Sequence, residues 1–145
     1  MTQNLRLVNY FISKFYRNRT LELEHIAAYD FEFILHSDEP INFESYAQRT
    51  NLLARCCKLQ LSDPVSDDDI LFVSKFEMEV PRAGNDSLFA TGTNNFTVAN
   101  GLLTKVTVDY HQTQAEFAQI KAALLENDKI LTASVDEDDN DLKFV

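Results

Sequence analysis

The chain has no tryptophan, three glycines, three histidines and two cysteines among 145 residues. Each shortage removes a class of chemistry. With only Gly84, Gly92 and Gly101, there is no glycine-rich loop to cradle a phosphate and no strand-to-helix nucleophile elbow. His25, His36 and His111 are scattered, so no helix carries two histidines at metal-binding spacing. Cys56 and Cys57 are neighbours, and adjacent cysteines seldom bridge each other. They read as reduced residues of a cytoplasmic protein, at least one of them packed inside. No metal and no cofactor is expected.

Positive charge is also scarce. The 13 Lys and Arg face 23 Asp and Glu, a formal net charge of -10. Nucleic acid is a poor partner for such a chain, because phosphate contacts need clustered cations. Lys14, Arg17 and Arg19 do cluster, but at the end of the first helix, where the macrodipole favours cations. No run approaches the ~20 apolar residues of a membrane span, so no membrane partner is expected. Residues 5–16 are interrupted by Arg6, Asn9, Ser13 and Lys14, which is unlike the core of a signal peptide.

What is plentiful is aromatic carbon. Eleven phenylalanines and five tyrosines in a 45% hydrophobic chain specify an aromatic-rich core in one domain of ordinary size. Helical spacing places Leu5, Val8, Ile12, Phe15 and Tyr16 on one stripe of a helix over 4–16. A short second helix over 21–28 turns Leu23, Ile26 and Ala27 inward. Residues 31–36 read as a strand. Asn42 caps a third helix over 43–57, whose stripe is Phe43, Tyr46, Ala47, Thr50, Leu53, Ala54 and Cys57. Strands follow at 58–62 and 70–80, separated by a polar loop containing Asp67, Asp68 and Asp69. That triplet lacks the spaced ligands and glycine of a calcium loop and reads as solvated.

Residues 87–111 form the most explicit element. Alternating strands flank Asn100-Gly101, the pair that supplies the two positive φ angles of a type I′ hairpin turn. Thr113 and Glu116 then stand as a capping box for a fourth helix reaching about Glu126, with Phe117, Ile120 and Leu124 on one face. The domain is expected to span 1–131, and the acidic 132–145 to be a mobile solvated tail. Helices gathered on one face of an antiparallel sheet give the α+β class.

Two segments carry a resemblance. Ala27-Ala28-Tyr29-Asp30-Phe31-Glu32-Phe33 is similar to the passage from second helix to first strand in the nuclear transport factor 2-like superfamily, SnoaL-like branch. Val98-Ala99-Asn100-Gly101-Leu102-Leu103-Thr104-Lys105-Val106 resembles that family's closing hairpin. The resemblance covers about residues 4–111. It implies a cone: a strongly curved antiparallel sheet wrapped around the N-terminal helices, plus a C-terminal helix. It further implies a pocket at the cone's mouth, closed by the first and third helices, and a homodimer formed through the sheet. Its members include isomerases, cyclases, dehydratases, epoxide hydrolases and non-catalytic binders, so the fold leaves function open.

Enzymes of this kind place carboxylates, or a histidine with an acid, inside the cone, where burial tunes them for proton transfer. Strand parity shows which side chains could do so here. Ile70, Phe72, Ser74, Phe76, Met78 and Val80 share one face, as do Leu88, Ala90, Gly92, Asn94, Phe96 and Val98. Leu102, Thr104, Val106, Val108 and Tyr110 form the inward face of the last strand, leaving Asp109 and His111 outside as surface or dimer-face residues. The inward polar groups are then Ser74, Asn94, Thr104 and Tyr110, none a base at neutral pH.

Phe33, Tyr46, Phe72, Phe76, Met78, Asn94, Phe96 and Tyr110 are therefore expected to line or underlie a pocket for a small, largely apolar molecule. An alternative is an isomerase-, dehydratase- or cyclase-type enzyme with His36 as base and Tyr16 or Tyr110 as hydrogen-bond donor. It requires the Glu32 side of the first strand to face the pocket. A third reading is an interaction module whose cone is filled by side chains, which a cavity well below ~300 Å³ would favour.

Overall fold

The computed structural model describes residues 1–16, 20–35 and 38–143, with side chains at 1–14, 23–35 and 38–132. Helix α1 (Gln3–Tyr16) buries Val8, Phe11 and Ile12, one turn apart on a single stripe. A 3₁₀ helix (Thr20–Ile26) replaces the expected second α-helix, and β1 (Ala27–Leu35) starts four residues before the expected strand. Alanine is a weak strand former, and Ala27 is held in place by pairing with Leu103.

Helix α2 (Phe43–Cys56) starts as predicted: the Asn42 side chain accepts a 2.9 Å hydrogen bond from the Ser45 N–H. Its buried stripe is Phe43, Tyr46, Ala47 and Thr50. Strands β2 (Lys58–Leu61), β3 (Leu71–Arg82), β4 (Asn85–Ala99) and β5 (Leu102–Tyr110) follow, then helix α3 (Gln114–Lys143). The loop before β3 is exposed but ordered by its own acids. The Asp68 carboxylate accepts from the Ile70 and Leu71 N–H groups, which lowers its pKa, while Asp69 takes φ 61° and accepts from the Thr2 hydroxyl.

The sheet runs in the order β1-β5-β4-β3-β2. Pairs β2–β3, β3–β4 and β4–β5 are antiparallel, as expected, but β1 lies parallel to β5, so the sheet is mixed. The reason is connectivity: β1 continues into α2 rather than into a hairpin, and a helical crossing does not impose the antiparallel direction that a two-residue turn does. That turn is present between β4 and β5, where Asn100 has φ 55° and Gly101 φ 75°. Helix α2 contacts both edge strands, β1 and β2. The helix therefore lies across the inner face of the sheet from one edge to the other. This is the α+β cone in outline.

One β-bulge alters the expected parity. Val98 pairs with Leu103 and Thr97 with Lys105, so Thr104 is the extra residue. Leu103 is thereby turned into the core, fully buried, and the Thr104 hydroxyl donates back to the Thr97 carbonyl at 3.1 Å. Ile70, expected inside, lies just before β3 and is half exposed.

The core has two parts. One gathers α1, the 3₁₀ helix, α2 and the inner ends of β1, β4 and β5. The other joins Phe76, Met78, Val80 and Ala90 to Ile120 and Ala123 of α3. Thr113 caps α3 reciprocally with Glu116, their two hydrogen bonds being 3.1 and 3.2 Å, and donation from the Thr113 N–H, with its hydroxyl second, lowers the Glu116 pKa. The helix continues to Lys143, well past Glu126, because nothing in the acidic segment is a proline or glycine that would stop it. Among the described residues no helix is long and apolar enough to cross a membrane.

Gly92 sits where β4 passes beneath the Phe76 ring. A Cβ there would collide with the Asp109 carbonyl oxygen and lie 2.6 Å from the ring carbons of Phe76. Gly92→Ala is expected to destabilise the protein by roughly 1–3 kcal/mol, seen as a lower urea midpoint with an unchanged slope. An unaltered midpoint would show that both the ring and the β5 backbone at Asp109 have room to move.

Candidate functional site

The two core parts do not quite meet. Between them lies an apolar hollow of about 150 Å³ that opens to solvent. Strand alternation builds its floor: Phe33 and Leu35 from β1, Phe76 and Met78 from β3, Asn94 from β4, Val108 and Tyr110 from β5. The parallel register matters here, since Leu35 pairs with Val108 and brings the C-terminal ends of both strands to the rim. Helix α2 supplies one wall through Tyr46, Arg49, Thr50 and Leu53. Helix α3 supplies the other through Phe117, Lys121 and Leu124. None of the described α1 side chains lines the hollow: the expected third helix, α2, does form one wall, but the other is built by α3, the expected fourth helix, and not by the first.

Its rings are ordered against one another. Phe33 stacks on Tyr46 with centroids 4.5 Å apart. Phe76 meets Tyr110 edge-on at 5.1 Å, and Tyr110 meets Phe117 at 4.8 Å. Two cations rest on these rings: the Arg49 guanidinium 5.8 Å from the Phe33 centroid and the Lys121 ammonium 5.6 Å from that of Phe117. The Asn94 carboxamide has no hydrogen-bond partner among the described residues.

Burial sets the proton affinities. It raises the Tyr46 phenol, and it pushes Tyr110 up to about 12, with Cys57 adding to the rise and Arg49 opposing it. Burial also pushes the Cys57 thiol up to about 12, the adjacent Cys56 adding to it. Among the described lining residues, then, no group is a proton acceptor near neutral pH.

The structure brings together Phe33, Tyr46, Phe76, Met78, Asn94 and Tyr110 around the hollow. Phe72 and Phe96 are packed solidly in the first core part, where the Phe96 ring meets that of Phe11 at 5.7 Å. They underlie the site without lining it. The Ser74 hydroxyl is buried and donates to the Ser62 carbonyl at 2.6 Å, a bond that ties β3 to the segment after β2. Asp109 and His111 lie on the outer face: Asp109 accepts from Asn95 at 3.4 Å, and the His111 ring is 3.2 Å from the Thr91 hydroxyl. His36 lies outside the described residues, as does the Tyr16 side chain. Phe31 and Phe33 are buried while Glu32 is exposed, so the Phe31 side of β1 faces inward, contrary to the condition attached to a pocket-facing His36.

Arg49 and Lys121 were not singled out from the sequence. Arg49 falls three residues after Tyr46, and Lys121 lies between Phe117 and Leu124 on the apolar face of α3. That i, i+3 and i, i+4 spacing was the available signal.

No family model matches the chain, and no curated protein matches it. Solved structures do. A proposed SnoaL-like polyketide cyclase from Jannaschia sp. CCS1 superposes with a TM-score of 0.64 over 84% of this chain and 91% of its own, at 12% identity. A proposed ketosteroid isomerase from Kribbella flavida DSM 17836 gives 0.61 at 16% identity, covering 77% and 79%. An LEH-like epoxide hydrolase of M. tuberculosis gives 0.59 at 11% identity, covering 91% and 96%. Likeness at such identities is likeness of fold. The fold is the one that these SnoaL-like and NTF2-like structures share.

The raised phenols make a pH prediction. Tyr110 in the folded protein holds its proton from its ordinary 10.0 up to about 12, so the stability it contributes is complete below pH 10 and is lost as pH rises through 12. A phenolate absorbance titration of Tyr110→Phe should lack one late-titrating group present in the parent. Identical late phases in both proteins would contradict the burial of Tyr110.

Proposed function

We propose that this protein binds a small, largely apolar molecule in the cone pocket and works as a homodimer joined through its sheet. The observation that supports binding is the ring-lined hollow with a few polar groups converging on it. At about 150 Å³ it falls below the ~300 Å³ that separates drug-sized pockets from filled cones, which weighs toward an interaction module. Yet an apolar void of about 150 Å³ is also the size that takes up benzene in another protein. The ligand is accordingly limited to about one ring. The enzyme reading with His36 as base gains no support from the described lining, which supplies no acceptor for a proton. The two free cysteines suit a reducing, cytoplasmic setting.

Benzene itself tests the pocket. Titrated into the protein, it should shift the methyl NMR signals of Met78, Val108 and Leu124, and Leu53→Trp, which fills the hollow, should abolish the shifts. Unmoved signals at saturation would leave the filled interaction module as the reading.

The dimer reading is supported by the outward strip of β4, Thr91, Thr93, Asn95 and Thr97, which is uncharged and central in the sheet. Sedimentation should give twice the 16.6 kDa chain mass, and Thr93→Arg should return the protein to the single chain. A single chain mass for the parent at all concentrations would remove the dimer.

A further inference from the structure

The hollow's charge is the reverse of the chain's. The protein carries a formal net charge of -10, yet the charged residues lining the hollow are Arg49 and Lys121, with no carboxylate among the described lining residues. They come from different helices, so their convergence is not the accident of one charged stretch. Other cations of the described chain are used differently. Further along α2, Arg55 pairs with Asp128 of α3 at 3.5 Å, and Lys58 of β2 pairs with Glu79 at 3.6 Å. Arg49 and Lys121 have no carboxylate partner among the described residues and lie over Phe33 and Phe117 instead.

Arg49 is half buried against apolar surface. A cation so placed gives up part of its hydration, and a ligand anion would restore the lost interaction. The guanidinium fork suits a carboxylate in two parallel hydrogen bonds, whereas a single ammonium acts as a point charge. Asn94 adds a carboxamide donor at the same surface. The Tyr110 hydroxyl is a further donor on the lining.

We infer that the ligand is an amphipathic anion, a one-ring aromatic carboxylate in chemical class, with its ring among Phe33, Tyr46 and Phe76 and its charged group at Arg49 and Lys121. This rests on the pocket-binding reading above and adds the sign of the ligand's charge to it. The excess of acids over the rest of the molecule then repels the same anion from other surfaces and leaves the rim as its place of attachment.

The test compares three probes of one shape by calorimetric titration: benzoate, benzyl alcohol and benzylammonium. Benzoate should bind about ten-fold more tightly than benzyl alcohol, and benzylammonium should bind most weakly. Raising the salt should weaken benzoate and spare benzyl alcohol. In Arg49→Gln the ratio of benzoate to benzyl alcohol affinity should fall to about one. Lys121→Gln, altering an exposed side chain, should lower the same ratio by a smaller factor and serves if the first variant does not fold. Equal binding of all three probes overturns the anion inference and leaves the apolar pocket standing. An undiminished ratio in both variants overturns the role given to these cations. Failure of all three probes, benzyl alcohol included, removes the pocket and the anion together.

Discussion

The seat of the Tyr46 ring holds the two halves of this architecture to one another. The ring stacks on Phe33 of β1 and lies parallel to Phe11 of α1 at 6.0 Å. It also meets Phe31 at 5.5 Å and Phe43 at 6.3 Å. One side chain thus joins both early helices to the parallel edge strand, a strand that no hairpin ties to its neighbour. Aromatic pairs contribute about 0.5–1.5 kcal/mol each beyond the area they bury, so several such contacts on one residue outweigh the weak strand propensity of the alanines that open β1. With β1 held, the sheet's far edge can curl toward α2. The inner surface of that curl is what leaves space at the rim.

Much of this was legible in the sequence because it depends on neighbours. Asn100-Gly101 specified its turn by backbone sterics alone. Thr113 with Glu116 specified a helix start by two reciprocal hydrogen bonds, and alternation put Phe76, Met78, Asn94 and Tyr110 on one side. What was not legible depends on partners distant in the chain. Thr104 becomes a bulge only because Val98 must face Leu103 across the hairpin, and no local pattern distinguishes it from its neighbours. The direction of β1 is settled by packing against β5. Arg49 and Lys121 each look like ordinary solvated cations until α2 and α3 are set on either side of the same hollow.

The site is better understood as a gap between two packed regions than as a carved pocket. The first region is closed by Phe72 and Phe96 under α1, and the second by Ile120 and Ala123 against β3. Leu61 and Val108 pack against both. The gap keeps its shape because the Phe76 ring lies across Gly92, where β4 offers no side chain to lift it. A ring lying flat at that point leaves Tyr110 reachable edge-on and sets the floor on which Phe117 descends. The chemistry available there follows from this construction: faces of rings, a few hydrogen-bond donors and two cations.

The wall built by α3 has a consequence for biosynthesis. Helix α3 follows every strand in the chain, yet Ile120 and Ala123 cover Phe76, Met78 and Val80, which a ribosome delivers some forty residues earlier. A nascent polypeptide that has completed β5 therefore holds an uncovered greasy surface until translation supplies α3. During that interval the growing chain is a substrate for chaperones and for mispairing with other unfinished copies. The order of synthesis places closure of this wall after the sheet is complete.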